Sequence, residues 1–436
     1  MGVLRIDHPD IMRFINAKTD QNTLTNFNIS LAVTDTFMEA VKEDKVYDLV
    51  WGGKTYDTLS ARAVWDRIME RNWDWAEPGI LFIDRINYMN PLGYCEKINA
   101  TNPCGEQPLP SNGACLLGSI NIPKYLVPSY GTGPTAVDGN KPKYDLDFRT
   151  MREDVRAAVA AFDRVIDITH YPLPAQREEA LAKRRMGIGP TGMANALEVM
   201  GHPYASDSYI EMQENVLEVI RDEAYETSAD LAQERGSFPL FDADKWLGSG
   251  FAETLPNYIQ EQIRQKGLRN GLLLSIAPTG TISLCADNVS SGIEPPFSLV
   301  QKRLIHMPQG QQEVELTDYA YREYGVSGRT ANEVSAFDHI RVLCSAQKFI
   351  DSAVSKTCNV TGQIAGSGDG VSFSEFKQLY LDAYEGGAKG CTTFNVNGKR
   401  AGILTGVTTA EPEDKASEEG AACFYDPETG MRECDA

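Results

Sequence analysis

Gly271-Leu272-Leu273-Leu274-Ser275-Ile276 is an unbroken, mostly apolar run closed by Pro278 and Gly280. A run this short, bounded by turn residues, reads as a strand buried on both faces that leads into a turn. Two long amphipathic helices precede it. Over 151–169, Val155, Ala158, Val159, Phe162, Val165 and Ile166 recur at three and four. Over 207–234, Ile210, Val216, Leu217, Ile220 and Ala224 form a stripe that Gly236 ends. Further helices are predicted over 60–71, 331–355 and 373–384, with a short one around Phe37–Val41. Val3, Leu4 and Ile6, then Ile29, Leu31 and Val33, mark short extended runs, and 77–120 is rich in proline and loops. Short buried strands alternating with helices define an α/β chain.

The chain has 436 residues, 42% hydrophobic and 23% charged, ordinary values for a soluble globular protein. A large α/β barrel of this length can form one domain. The formal net charge of −20 excludes a protein held on nucleic acid by phosphate contacts, and also a polybasic membrane anchor. A nucleotide substrate remains compatible, because one small site can be lined with backbone N–H groups. No run of about 18 apolar residues appears, so no membrane span is expected. Nine scattered cysteines and a start without an apolar signal segment point to reduced thiols in the cytoplasm. From about 409 the composition turns to Glu, Asp, Ala and Gly, so 1–408 is read as the folded domain and 409–436 as a mobile acidic tail.

Three segments could carry chemistry. In Asn102-Pro103-Cys104-Gly105-Glu106, an amide, a thiol and a carboxylate alternate, so an extended loop would point them the same way. Pro103 favours an extended Asn102, and Gly105 permits close approach of a ligand. From spacing alone, a buried cysteine in a Pro-rich turn is the favoured reading. Cys115, eleven residues on, reads by itself as a core cysteine. The second segment, Pro278-Thr279-Gly280-Thr281-Ile282-Ser283, follows the buried strand and is expected to enter a helix, where backbone donors and the helix dipole bind phosphate. Simple N-capping by Thr279 or Thr281 has an equal claim. The third, Gly187-Ile188-Gly189-Pro190-Thr191-Gly192, matches a dinucleotide-binding fingerprint literally. It follows the basic helix end Lys183-Arg184-Arg185, with Pro190 where a donor is wanted, so it is read as a tight turn before a helix at 191–200. Histidines 8, 170, 202, 306 and 339 show no paired spacing, and no metal site is expected. Cys423 and Cys434 in the tail are a candidate thiol shuttle, with incidental tail cysteines as the plainer reading.

Taken together, the segments resemble a ribonucleotide reductase of the adenosylcobalamin-dependent class. The resemblance runs from residue 1 to about 405. It rests on Asn102-Pro-Cys-Gly-Glu106-Gln-Pro-Leu, Gly113-Ala-Cys115-Leu-Leu-Gly-Ser-Ile-Asn-Ile, Ile276-Ala-Pro-Thr-Gly-Thr-Ile-Ser283, Ser291-Gly-Ile-Glu-Pro-Pro296 and Gly390-Cys-Thr-Thr-Phe-Asn-Val-Asn-Gly-Lys-Arg400, in that order. It implies a ten-stranded α/β barrel with a central finger loop. It implies that Cys104 is the thiyl-radical cysteine, Glu106 the base for the ribose 3′-OH, Asn102 the amide on the ribose hydroxyls, and Cys115 one member of a redox pair. It implies that residues 278–283 hold the substrate phosphates. A ribonucleotide substrate, as the diphosphate, and a thioredoxin- or glutaredoxin-type reductant follow from the same likeness.

Relatives fed by a radical-generating subunit carry a tyrosine pair where this chain has Thr393 and Phe394, which favours cobalamin over a radical-delivering subunit. Family members often carry several hundred residues before the segment that starts here at Met1, including two barrel strands and the cysteine partner of Cys115. The barrel is therefore expected to be incomplete, with one open flank, and the chain is expected to need an N-terminal companion chain. The alternative is a truncated, non-catalytic fragment that binds nucleotide or a partner.

Overall fold

The structure is a computed structural model. It describes residues 1–19, 23–129, 137–138, 141–307, 310–362 and 370–399, with two short segments at 423–425 and 432–434. Seven strands and one bridged segment place the site. They are β1 (Gly2–Arg5), β2 (Ile29–Val33), β3 (Gly79–Phe82), β4 (Leu117–Asn121), β5 (Gly187–Thr191), β6 (Thr357–Val360) and β7 (Gly390–Asn395). Every residue of β2 and of β5 is buried, as expected of parallel strands covered on both faces.

The strands form one curved array. β1, β2 and β3 are parallel, and β3 meets β7 antiparallel through Leu81 opposite Gly390 and Ile80 opposite Cys391. β7 and β6 are parallel. Val354, just before β6, bridges Ile276, and Leu274 bridges Ile188 of β5, both in parallel sense. β5 then pairs with β4 in parallel. The predicted strand at 271–276 is thus present, buried between β5 and the segment leading into β6. Among the described residues, β1 and β4 each have a free edge, so the array is open between them.

Helices cover the outside: α1 (Asp35–Lys42), α2 (Ala61–Trp75), α3 (Phe148–Ile168), α4 (Asp207–Arg235), α5 (Ala336–Gln347) and α6 (Phe373–Glu385). Their starts are written locally. Thr34, Ser60, Asp147, Ser206, Ser335 and Ser372 each accept a backbone N–H from the first turn, and Ser372 with Glu375 forms a full capping box. Each such cap is worth about 1 kcal/mol. Between helices and strands, the buried Asp351 carboxylate accepts the N–H groups of Leu273 (2.7 Å) and Leu274 (3.0 Å) and the Tyr225 hydroxyl (2.6 Å). The Lys389 ammonium donates to the carbonyls of Asp351 and Ser352, both at 2.5 Å. This network fixes the corner between the 271–276 strand and the segment leading into β6.

Two expectations are corrected. Gly187–Thr191 is not a turn but the interior strand β5; only Gly192, in the left-handed region, turns into the helix Met193–Val199. The reason is steric. A Cβ at Gly189 would lie 2.2 Å from the Ser275 carbonyl oxygen, and one at Gly187 2.3 Å from Gln107 Nε2. The glycines let neighbouring chain segments close on β5. The helix predicted over 331–355 spans only Ala336–Gln347, because the chain then turns into the Asp351 corner and runs extended toward β6.

Met1–Thr405 and Gly406–Ala436 form separate compact units. In the second, Cys423–Tyr425 pairs antiparallel with Arg432–Cys434, with Cys423 opposite Cys434. The expected mobile tail otherwise falls outside the described residues.

Candidate active site

Ala100–Thr101 and Pro108–Leu109 pair antiparallel and hold residues 102–107 as a hairpin loop. The loop is closed from inside. Asn102 N–H donates to the Gln107 carbonyl at 3.1 Å, the Gly105 N–H to the Asn102 carbonyl at 3.0 Å, and the Gln107 N–H to Asn102 Oδ1 at 3.0 Å. Gly105 sits at φ 84°, where a side chain would strain the turn. The tip is tied to the array through Glu106. Its carbonyl accepts the Ser275 hydroxyl at 2.9 Å and the Ala353 N–H at 3.0 Å.

This puts Cys104 over a small recess shared with Ser30, Gly79, Lys356, Gly390 and Thr392, which belong to β2, β3, β7 and the segment entering β6. The Cys104 thiol is exposed on its other side. Glu106 is 2% exposed, and its Oε2 has no hydrogen-bond partner among the described residues. Burial raises its carboxyl, opposed by its own backbone and by the Asn102 side chain. Burial, then the Glu106 charge, raises the Cys104 thiol, so sulfur stays protonated at neutral pH. Cys115 lies two residues before β4 and is half-buried. Burial, then Glu106, pushes it up to about 11, opposed by Arg185. Glu106 is therefore within electrostatic reach of Asn102, Cys104 and Cys115.

A cavity of about 430 Å³ continues from the recess. Its lining joins Pro103 to Gly280 and Ser283, and Ser30, Gly79 and Thr392 belong to both spaces. The 278–283 segment forms a tighter turn than a helix start. Its helix, Ile282–Cys285, has four residues. Thr279, at φ 56°, spends its hydroxyl on Thr191 (2.8 Å) and on the Gly292 N–H (2.7 Å). Ser283 Oγ lies 3.2 Å from Ser291 Oγ. Thr279 thus builds the turn, while Gly280, Thr281 and Ile282 are exposed at its crest. Thr393 faces away from the cavity's centre with its hydroxyl 2.8 Å from that of Tyr380, and Phe394 lines the wall.

Residue-type reasoning missed one cavity group, Glu294, and two residues behind it. Glu294 lies within a quoted motif but was given no role. Lys356 and His339 are joined only by the fold: Lys356 Nζ lies 2.6 Å from Glu294 Oε2 and 3.0 Å from His339 Nδ1. No local pattern links residues so far apart in sequence.

A mostly parallel strand array, open at one side and backed by helices, holds a hairpin-borne cysteine over its recess. The family model for the ribonucleotide reductase barrel domain matches residues 1–322 and 311–394, and the chain belongs to that family. It is 34% identical to the vitamin B12-dependent ribonucleoside-diphosphate reductase of Thermoplasma acidophilum, over 95% of this chain and 53% of that protein. It is 32% identical to the protein of the same description from Mycobacterium tuberculosis (strain CDC 1551 / Oshkosh), over 93% of this chain and 57% of the relative. The vitamin B12-dependent ribonucleotide reductase of Streptomyces avermitilis is 23% identical, over 92% of this chain and 48% of the relative. The chain spans about half the length of these relatives. No helix among the described residues is long and apolar enough to cross a membrane.

Proposed function

We propose that this chain carries the substrate-reducing centre of a cobalamin-dependent ribonucleotide reductase acting on ribonucleoside diphosphates. The observation that carries the reading is the single cavity that joins Pro103, beside Cys104, to Gly280 and Ser283. A ribose over the thiol with its diphosphate at the 278–283 turn fits that span. Pro278 and Thr279 shape the turn, and the amides of Gly280, Thr281 and Ile282 with the hydroxyls of Thr281 and Ser283 supply anion donors.

The chemistry follows from the positions. Cys104, as a thiyl radical, takes the hydrogen atom from C3′. Glu106 takes the 3′-OH proton; its raised carboxyl makes it a better base near neutral pH than an exposed glutamate. Asn102 holds the ribose hydroxyls. The C2′–O bond breaks and the 2′-OH leaves as water with a proton from the thiol pair that includes Cys115, while C2′ takes the pair's second hydrogen as its disulfide forms. Two electrons come from a dithiol of which Cys115 is one member, and the Cys104 S–H returns its hydrogen to C3′. A companion that closes the open flank would exclude water and limit side reactions.

The cavity is sized for a nucleotide and too small to enclose a corrin. The residues fit a cobalamin by contact instead, since Phe297, Pro296 and Phe394 offer an apolar wall. When bound, adenosylcobalamin supplies the radical equivalent that Cys104 holds. Delivery from a separate subunit would call for a tyrosine at 393 or 394.

The free edges of β1 and β4 suit an N-terminal companion chain that adds the remaining strands of a ten-stranded barrel. Beside β1, a second cavity of about 510 Å³ is lined by Val3, Val50, Trp51, Ile83 and Ile98, and Trp51 is 60% exposed. Exposed edges and apolar surface of this kind are partner sites. The companion would also carry the cysteine that pairs with Cys115. A thioredoxin- or glutaredoxin-type protein regenerates the dithiol, and the facing register of Cys423 and Cys434 suits a shuttle between them. In the test, the chain is mixed with a companion segment, adenosylcobalamin, a ribonucleoside diphosphate and reduced thioredoxin. Deoxyribonucleotide should form, and not with Cys104→Ser. Formation at the Cys104→Ser background favours the non-catalytic binding fragment.

A further inference from the structure

The cavity presents a charge problem. Its lining contains the carboxylates Glu77, Glu294 and Asp318 and, among the described residues, no Lys or Arg. A nucleoside diphosphate brings further negative charge into that space. Each carboxylate therefore needs its own compensation from behind the wall, or binding fails by like-charge repulsion.

Two of them are compensated away from the 278–283 turn. Glu77 pairs with the buried Lys18. Asp318 accepts both Asn195 Nδ2 contacts, at 3.1 and 2.9 Å, and caps a helix through the Tyr321 N–H at 3.2 Å. Glu294 is the one attached to the phosphate turn itself. Its N–H donates to the Ser291 carbonyl at 2.8 Å, Ser291 Oγ meets Ser283 Oγ, and Gly292 N–H donates to Thr279 Oγ1. Its carboxylate takes the Thr357 N–H on Oε1 and the Lys356 ammonium on Oε2.

Lys356 is placed to serve this carboxylate alone. Its side chain has no exposure, and its other partner is His339. The His339 Nε2 lies 3.3 Å from the Ala331 carbonyl, so Nε2 carries the hydrogen and Nδ1 accepts from lysine. Burial, then the lysine charge, pushes His339 down to about 2, so the ring stays neutral and adds no charge of its own. Lys356 also borders the recess under Cys104. One buried cation thus cancels the carboxylate beside the phosphate turn, on a residue whose chain also borders the recess under Cys104.

We propose that Lys356 is a positioning residue for the nucleotide: it neutralises Glu294 from behind the cavity wall, so that the 278–283 turn can accept a diphosphate and hold it in register with Cys104. The inference rests on the ribonucleotide reading above and adds to it a residue that need not touch the substrate.

The test titrates ADP into the full chain by calorimetry. Wild type binds. Lys356→Met leaves Glu294 uncompensated and weakens ADP by at least about tenfold. Lys356→Met/Glu294→Gln, which removes the charge that lysine cancelled, returns the affinity to within about threefold of wild type, as coupling between two residues in contact requires. A purely structural lysine would give no such rescue. Should Lys356→Met fail to fold, Lys356→Gln keeps a donor to Glu294 while losing the charge, and is expected to weaken ADP in the same way. Wild-type affinity in either folded variant, or a double variant no better than Lys356→Met, overturns the proposal while the nucleotide reading stands. A wild-type chain that binds no ADP overturns the nucleotide reading, and this proposal with it.

Discussion

The Ser275 hydroxyl donates to the Glu106 carbonyl at 2.9 Å, so the buried strand read first in the sequence is also the anchor of the reactive loop. Ser275→Ala removes one buried hydrogen bond and leaves a carbonyl held only by the Ala353 N–H. The expected cost in stability is about 1–2 kcal/mol. Turnover should fall further than that loss explains, because the loop loses its register. Urea unfolding and turnover measured on the same protein check the comparison.

Cys104 is accessible yet held as a thiol by burial and by Glu106. Its alkylation by iodoacetamide should therefore have a pH midpoint above that of an ordinary thiol, about 8.5. Glu106→Gln removes the neighbouring charge and should move the midpoint down. Mass spectrometry of the peptide carrying residue 104 follows the rate; an unchanged midpoint would sever the electrostatic link between the two side chains.

Glu198, buried in the helix Met193–Val199, accepts the N–H groups of Arg329 (2.8 Å) and Tyr204 (3.3 Å) on Oε1. Burial raises its carboxyl from 4.5 to about 7. The folded chain thus holds a proton that the unfolded chain releases between those values. Stability contributed by this group is full below about 4.5 and is lost as pH rises through about 7, by about 3 kcal/mol in all. Glu198→Gln keeps the acceptor and should flatten this part of the profile, making the variant the more stable protein at pH 8. Urea midpoints at pH 5 and pH 8 decide it.

Gly189→Ala would place a methyl 2.2 Å from the Ser275 carbonyl oxygen. The two strands must part, at about 1–3 kcal/mol. The same substitution in a surface turn, which is how the sequence reads, would cost a few tenths at most. Differential scanning calorimetry distinguishes the strand from the turn.

The parts legible in the sequence are those governed by neighbours along the chain. The amphipathic helices α3 and α4 declare themselves by spacing, and the end of α4 by Gly236. The loop with Asn102, Cys104 and Glu106 stands out because proline, glycine and three reactive types alternate in five residues, but spacing alone favours a buried cysteine there, and Cys104 is exposed. Strands that face the cavity are harder. β5 carries glycine and proline because the Glu106 loop and Ser275 crowd its inner face. β7 alternates Cys391, Thr393 and Asn395 against the helices with Thr392 and Phe394 toward the cavity, a pattern with little apolar signal. The Glu294–Lys356–His339 chain was invisible because only the meeting of β6, α5 and the 291–296 turn assembles it.

The central claim is spatial, and a structure of the chain with a bound ribonucleoside diphosphate tests it most directly. The account predicts the ribose C3′ beside Cys104 Sγ and the phosphates on the amides of Gly280, Thr281 and Ile282. A nucleotide found outside this cavity, or one whose sugar lies away from the thiol, would contradict it.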